Sequence, residues 1–312
     1  MVAGCGVHRS DRALFSITGR DRVRWLNGMV TNNIRDLALG HGVYSFVLNP
    51  QGHILGDLYV FNLGESLVAE IEREHSESLL QVLRRYIIMD KVEITDLSAE
   101  KTVIGVTGPK SSEVLATIGL KAEISPLQFS SSNWNGSEMA LVRGDNPCFA
   151  NYEIWIAANQ ADIFLSGLQA AGATTVGDET LETFRILCGI PKFGQDIRER
   201  TLPQETGQER ALNFTKGCYI GQEIVERIRA RGSVHRTFVG FEIEGSVPAP
   251  GTKVQANGKD VGEITSVASA PLKQTRMALG YLRKEVLETG DALTAGAAVV
   301  KARPLPFTDI FD

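Results

Sequence analysis

Helical periodicity stops in this chain at about residue 236, and a run of short β segments cut by glycine and proline replaces it: Val239–Ile243, Lys253–Gln255, Val261–Val267, Met277–Tyr281 and Ala298–Ala302. A stretch with this texture closes into a small barrel or sandwich. It holds about 75 residues, close to the smallest chain that sustains its own core, so it is expected to lean on other parts of the molecule. The reading is therefore one domain over residues 1–236 and a C-terminal β-barrel over 237–312.

Upstream, strand-like and helix-like segments alternate, most of them ended by glycine. Ala13–Ile17 reads as a strand and Asp21–Asn27 as a helix stopped by Gly28. Val43–Leu48 and Ile54–Phe61 flank Asn49-Pro50-Gln51-Gly52, which suits a type I turn and predicts a hairpin. Ser66–Glu72 alternates apolar and polar residues, and Ser76 is expected to cap a helix carrying Leu79, Leu80, Leu83 and Ile87. The pattern repeats with strand Lys101–Val106 before a helix of Val114, Leu115 and Ile118, then with strand Tyr152–Ala157 before helix Ala161–Ala171. A last helix after Asp178 carries Leu181, Phe184, Leu187 and Cys188. The class is α+β.

Composition removes several function classes. With 43% hydrophobic and 22% charged residues and a mean hydropathy of −0.05, the chain reads as soluble, not disordered or membrane-spanning. A net charge of −5 gives no global pull toward nucleic acid or anionic membrane. Cys5, Cys148, Cys188 and Cys218 form no C-x-x-C pair, which argues against a disulfide scaffold or zinc ribbon and fits a reducing compartment. The N-terminus shows no signal peptide, so the expected location is the cytoplasm and the default state a monomer. No P-loop, G-x-G-x-x-G, G-x-S-x-G or H-E-x-x-H pattern is present, and no metal site is expected.

One stretch stands apart from a generic α/β chain: Lys216-Gly217-Cys218-Tyr219-Ile220-Gly221-Gln222-Glu223. Glycines on both sides allow tight turns, and a nearby ammonium and helix N-terminus favour thiolate over thiol, which makes Cys218 the reactive candidate. The competing reading is a small buried hydrophobe. Downstream, Arg227 to Arg236 carries four arginines and no acid, able to hold carboxylates or phosphates, or simply a solvated face with Arg227 paired to Glu223. Upstream, Glu205 follows Pro203-Gln204 in a polar linker; a carboxylate there can take two parallel hydrogen bonds from a pterin edge, or be an ordinary loop glutamate.

Taken together, the eight-residue stretch, Ile17-Thr18-Gly19-Arg20-Asp21, Gly28-Met29-Val30-Thr31-Asn32, Gly108-Pro109-Lys110, Gly189–Gly194 and Pro203-Gln204-Glu205 resemble the YgfZ family, folate-binding relatives of the glycine-cleavage T-protein, an aminomethyltransferase. Val261–Ser266 and Leu305-Pro306-Phe307 resemble the T-protein small domain. The resemblance implies a cloverleaf of subdomains around a central folate channel with an appended β-barrel. It implies tetrahydrofolate as cofactor and a role in assembling or repairing iron–sulfur enzymes, including those that modify tRNA, with those enzymes or cluster-assembly proteins as partners. Carried over by position, Cys218 is the functional cysteine, with Lys216, Gly217, Gly221 and Gln222 as its signature. Glu205 would face the pterin and Arg227 the folate carboxylates.

The chain departs from T-proteins where they place a catalytic aspartate, having Glu72-Arg73-Glu74-His75 instead. It also has Arg12 where some YgfZ members have tryptophan, so no ring stacking on folate is expected there. The alternative function is a folate-dependent aminomethyl transferase using another carboxylate, Asp57 or Glu205.

Overall fold

The computed structural model describes residues 3–232, 234–272 and 274–311; Ser233, within the arginine strip, lies outside them. The chain forms two compact units. One comprises the chain up to Pro50 with Leu55–Val176 and Arg210–Gln222; the other comprises Gln51–Ile54, Gly177–Glu209 and the chain from Glu223 onward.

The first unit holds two sheets. One has the order β11(Thr174–Thr175), β1(Gly6–Arg9), β7(Lys101–Thr107), β10(Asn151–Ala157), β9(Ser137–Arg143), β8(Phe129–Trp134). The other runs β3(Gly42–Leu48), β4(Ile54–Asn62), β5(Leu67–Glu72), β2(Arg12–Thr18), β6(Glu93–Asp96). Because side chains alternate along a strand, each sheet has two faces to cover. On the first sheet, Val7, Ile104, Leu141 and Ile154 pack against Leu115, Phe164 and Leu168 of α3(Ser111–Thr117) and α4(Ala161–Ala170). On the second, Phe15, Ile17, Leu58 and Ile71 pack against Leu26, Leu79 and Leu83 of α1(Arg22–Met29) and α2(Arg73–Arg84). Each such side chain contributes about 1.5–3 kcal/mol on leaving water. The two remaining faces meet each other, so the unit is layered helix, sheet, sheet, helix.

The helix expected to start at Ser76 starts at Arg73. Ser76 is buried on the same face as Leu79, Leu80 and Leu83, and its hydroxyl donates back to the Arg73 carbonyl at 2.8 Å, as serine does inside a helix. The chain thus turns directly from β5 into α2 across Glu72 and Arg73.

The second unit is built on a closed barrel of β12(Arg236–Glu244), β15(Arg276–Arg283), β14(Lys259–Val267), β13(Lys253–Ala256), β16(Leu293–Ala295) and β17(Ala298–Arg303). Phe241, Val254, Ile264, Leu282 and Val300 fill it. The additional core that so short a barrel needs comes from α5(Asp178–Leu187), whose Ile186 and Leu187 cover Phe238, Met277, Leu279 and Phe307. Asp196 fastens this arrangement. A bulge in β14 between Ile264 and Ser266 lets the consecutive Thr265 and Ser266 hydroxyls both donate to its Oδ1. Arg185 Nη1 at 2.7 Å and the Lys192 backbone N–H at 2.9 Å donate to Oδ2.

Candidate functional site

Between the two sheets of the first unit, the interior changes character along its strands. One half is hydrocarbon: Leu14, Phe61, Val68, Val103, Val142 and Trp155. Two residues away on the same strand faces, the next inward positions are Arg12 on β2, Tyr59 on β4, Glu70 on β5 and Glu153 on β10. Asp57 follows on β4, two residues before Tyr59, and Tyr44 comes from β3. Ionisable groups enter such an interior at a cost of several kcal/mol each unless they are paired.

The pairing is incomplete. The Trp155 indole N–H donates to Glu70 Oε2 at 3.1 Å, and Arg12 Nε lies 3.8 Å from Glu70 Oε1. Arg12 stacks over the Tyr59 ring at 5.5 Å. Yet Arg12 Nη1 and Glu153 Oε2 are both buried with no hydrogen-bond partner among the described residues. Burial pushes Glu153 up to about 8, helped by the neighbouring Glu70 and opposed by Arg12 and the Ser10 side chain. Burial also raises Glu70, with Arg12 and the Trp155 N–H pulling it down. For Arg12, burial works against the charge, but Glu70 and then Glu72 hold the guanidinium above its ordinary value.

Beside this gap lies a fully engaged ring of groups. Tyr44 Oη donates to Asp57 Oδ2 at 2.6 Å, and Tyr59 Oη donates to Asp145 Oδ1 at 3.0 Å. Arg210 pairs with Asp145 and stacks on the Tyr44 ring at 4.3 Å. Burial and the Asp57 charge push the Tyr44 phenol well up, so it acts as a donor. None of Arg12, Tyr44, Tyr59, Glu70, Glu153 and Arg210 is singled out as a ligand contact by sequence motifs. The one available signal is a charged residue among the inward positions of strands whose other face is apolar: Arg12 on β2, Asp57 on β4, Glu70 on β5 and Glu153 on β10.

The cysteine motif sits on a segment tied to the C-terminal end of α1. Lys216 is buried, and its Nζ donates to the carbonyls of Asn27 at 2.6 Å, Val30 at 2.5 Å and Asn32 at 2.7 Å. The Asn27 and Val30 carbonyls lie at the C-terminal end of α1 and that of Asn32 just beyond it, where a positive charge is favoured. Burial and then Arg35 push Lys216 down to about 7. All three of its donors are taken, so Lys216 anchors the segment, in contrast to the thiolate-stabilising role its spacing predicts.

Further bonds hold the same stretch: Thr31 Oγ1 to the Ala211 carbonyl at 2.6 Å, Asn213 N–H to the Thr31 carbonyl at 3.1 Å, and Ile220 N–H to the Gly28 carbonyl at 3.2 Å. Cys218 is exposed on this fixed segment, which removes the reading of it as a small buried hydrophobe; Cys188 and Cys5 are the buried ones. Gly221 has φ +83°, a left-handed turn that only glycine makes without strain, and Gln222 opens α6(Gln222–Arg231). A side chain at Gly217 would meet the Arg35 guanidinium at 3.6 Å, which makes Arg35 a cation next to the cysteine segment that the motif does not contain.

Glu205 and Arg227 lie in the second unit, and each already carries an ion pair. Glu205 Oε2 accepts the Leu202 backbone N–H at 3.2 Å and Arg236 Nη2 at 2.9 Å, and Arg236 stacks over Tyr281 at 4.6 Å. Arg227 pairs with Glu223 at 2.7 Å one helical turn back, with both side chains at least half exposed. Among the described residues, no three His, Cys, Asp or Glu side chains converge as metal ligands, and no helix is long and apolar enough to cross a membrane.

Comparison with known proteins agrees with this architecture. A putative chloroplastic transferase of Arabidopsis thaliana is 24% identical over 284 residues, covering 90% of this chain, while the chain spans 65% of that protein's length. An aminomethyltransferase of Rubrobacter xylanophilus is 27% identical over 295 residues, 93% of this chain and 79% of the relative. The crystal structure of the glycine cleavage system aminomethyltransferase T from Bartonella henselae superposes with a TM-score of 0.88 at 21% identity, over 98% of this chain and 86% of that one, and shows the T-protein fold. The glycine cleavage T-protein C-terminal barrel model matches residues 236–308. The GCVT N-terminal domain model matches residues 8–216, well over half of the sequence, and the chain belongs to that family.

Proposed function

We propose that this chain binds tetrahydrofolate and acts as an accessory factor in the assembly or repair of iron–sulfur enzymes, tRNA-modifying enzymes among them. The observation that carries the folate half is Glu153, a half-buried side chain whose Oε2 is buried with no hydrogen-bond partner among the described residues. A pterin presents a ring N–H beside an amino N–H, and a carboxylate takes both in parallel. The residues present therefore fit the ring: Glu153 grips it, Arg12 offers an unused donor to its carbonyl, and the apolar half of the layer excludes water. We assign the ring to Glu153, whose Oε2 is buried with no partner among the described residues, in preference to Glu205, whose Oε2 already forms an ion pair with Arg236. Bound folate would supply a carrier for one-carbon units.

The accessory half rests on two features. The exposed Cys218 is displayed on an anchored segment whose eight residues match the YgfZ signature. The aspartate expected of an aminomethyl transferase is absent where β5 turns into α2 at Glu72 and Arg73. The second reading, a one-carbon transferase, is favoured by Asp57, a carboxylate in the same layer held by Tyr44 at 2.6 Å.

The experiment has two arms. Tetrahydrofolate is expected to raise Tm, with Glu153→Gln abolishing the rise; an unchanged rise in that variant removes the ring from Glu153. Cys218→Ser is expected to retain folate binding and lose support of a partner iron–sulfur enzyme in cells lacking the wild-type chain. Aminomethyl transfer by the wild type, with full support by Cys218→Ser, reverses the order of the two readings.

A further inference from the structure

We propose that the turn between α2 and β6 is a docking knob for another protein, one that offers an apolar pocket rimmed by carboxylates. The turn carries Ile88 and Met89, two consecutive side chains that are 82% and 89% exposed. Single exposed apolar residues are ordinary on a protein surface; a bulky pair held together in water, with Tyr86 exposed beside it, is not. Arginine, tyrosine and methionine are enriched at protein interfaces, and residues 84 to 89 supply all three.

Both stems of the turn are fixed. On the α2 side, the Tyr86 and Ile87 N–H groups donate to the Leu83 and Arg84 carbonyls, each at 3.1 Å, and the Trp25 indole N–H donates to the Tyr86 carbonyl at 3.2 Å. On the β6 side, the Lys91 N–H donates to Asp21 Oδ2 at 2.8 Å, and the Asp21 N–H donates to the Lys91 carbonyl at 3.3 Å. Gly19, with φ +95°, passes so close that a side chain there would strike the Lys91 carbonyl. Ile87 and Val92, on either side of the exposed pair, pack on the core that holds Trp25. The chain thus buries the flanks and holds Ile88 and Met89 out in water. An anchor already ordered before contact loses less freedom on binding.

Charge selects the occupant. Arg84, Arg85 and Lys91 are exposed and, among the described residues, join no ion pair. Arg20 and Arg24, the cations on the α1 side, face Asp21 and Asp90. Three unmatched positive charges therefore flank the apolar pair on a chain whose net charge is −5. A second copy of this chain docking through the same turn would bring those cations against themselves. An anionic membrane is a plane, so the exposed Glu93, two residues past Lys91, would be pressed toward it together with the tip. A pocket with an acidic rim takes the tip alone and meets the cations with opposite charge. None of this depends on the folate or iron–sulfur reading.

The test places a photo-reactive phenylalanine analogue at Met89 and, in a separate chain, at Ile163, an exposed apolar residue of α4 that follows Asp162 and has no cation cluster beside it. After illumination of living cells, the cross-linked peptides are sequenced by mass spectrometry. One protein is expected at position 89 and not at 163, joined through an apolar segment that carries aspartate or glutamate. That protein, purified, should bind the wild type less tightly as salt rises, and Met89→Asp should weaken binding about tenfold or more. Met89→Asp alters a side chain already in water, so its Tm should match that of the wild type, and Ile163→Asp should bind as the wild type does. The proposal is overturned if position 89 cross-links to nothing that 163 does not, or to lipid, or to a second copy of this chain. Equal affinity of Met89→Asp and wild type for the identified protein overturns it as well.

Discussion

Asp196 and Glu153 are both carboxylates taken out of water, and their surroundings differ in one respect. Around Asp196 the chain supplies a donor for every strong acceptor position: Arg185, the Lys192 N–H, Thr265 and Ser266. Around Glu153 it supplies Ser10 and leaves Oε2 bare. A saturated buried charge is a fastening, because any change to it leaves donors stranded. An unsaturated one is a cost to folding that an incoming ligand can recover. The difference is open to direct tests, beginning with the fastening itself. Asp196→Ala strands the Arg185 guanidinium and two hydroxyls at once, and should lower unfolding free energy by about 3–5 kcal/mol in denaturant titration. A loss below about 1 kcal/mol would show that the network is not what joins the 190s loop to β14.

Lys216 is a fastening of the same kind in the first unit. Lys216→Met leaves the carbonyls of Asn27, Val30 and Asn32 without their donor, a cost of about 1–3 kcal/mol. The effect should be local enough to see by hydrogen exchange: the Asn213 and Ile220 amides, bonded to Thr31 and Gly28, should exchange faster than in the wild type. Unchanged exchange at both amides would mean that the segment bearing Cys218 is held by other bonds alone.

Glu153 should behave in the opposite sense. Its folded-state value, raised to about 8, lies above the ordinary glutamate value of about 4.3, so between the two the folded chain binds more protons than the unfolded one. Stability from this group is therefore present at acid pH and lost as pH rises toward 8, at no more than about 1.4 kcal/mol per pH unit. Glu153→Gln, permanently neutral, should flatten this fall and leave the ligand-free protein more stable than the wild type at pH 8. A variant less stable than the wild type at that pH would place Glu153 among the fastenings.

The fold was largely legible because its strands and helices follow the periods their burial requires. Five strands of the barrel are read from short alternating runs between glycines and prolines; Leu293–Ala295, three residues long, is too short to show a period. The hairpin of β8 and β9 was missed for a different reason. Phe129–Trp134 is rich in serine and lacks apolar alternation, although Asn135-Gly136 between the strands has the positive φ angles, 49° and 80°, of a tight hairpin turn.

The site was the least legible part. Ser66–Glu72 alternates as a half-buried strand does, which assigns Glu70 to solvent; a second sheet covers that face instead, and Glu70 is 3% exposed. No local pattern announces a second sheet. The residues that meet in the layer come from strands as far apart in sequence as β2 and β10, and only the packing brings Arg12 to Glu70 and Trp155.

The cysteine motif is legible as a string, but nothing local shows that Lys216 Nζ is spent on the carbonyls of Asn27, Val30 and Asn32 or that Arg35 lies beside Gly217.

The smallest effect separates exposed charge from both buried kinds. Arg227 and Glu223 stand one turn apart on α6 with solvent around both, so their attraction is screened and offset by the entropy of holding two long side chains. Arg227→Ala should change stability by about 0.3–0.5 kcal/mol at low salt and by less as ionic strength rises. Its value lies in folate binding: a drop in tetrahydrofolate affinity of tenfold or more, with stability nearly untouched, would give Arg227 the carboxylate contact that the family resemblance implies. An unchanged affinity would leave it a solvated helix residue.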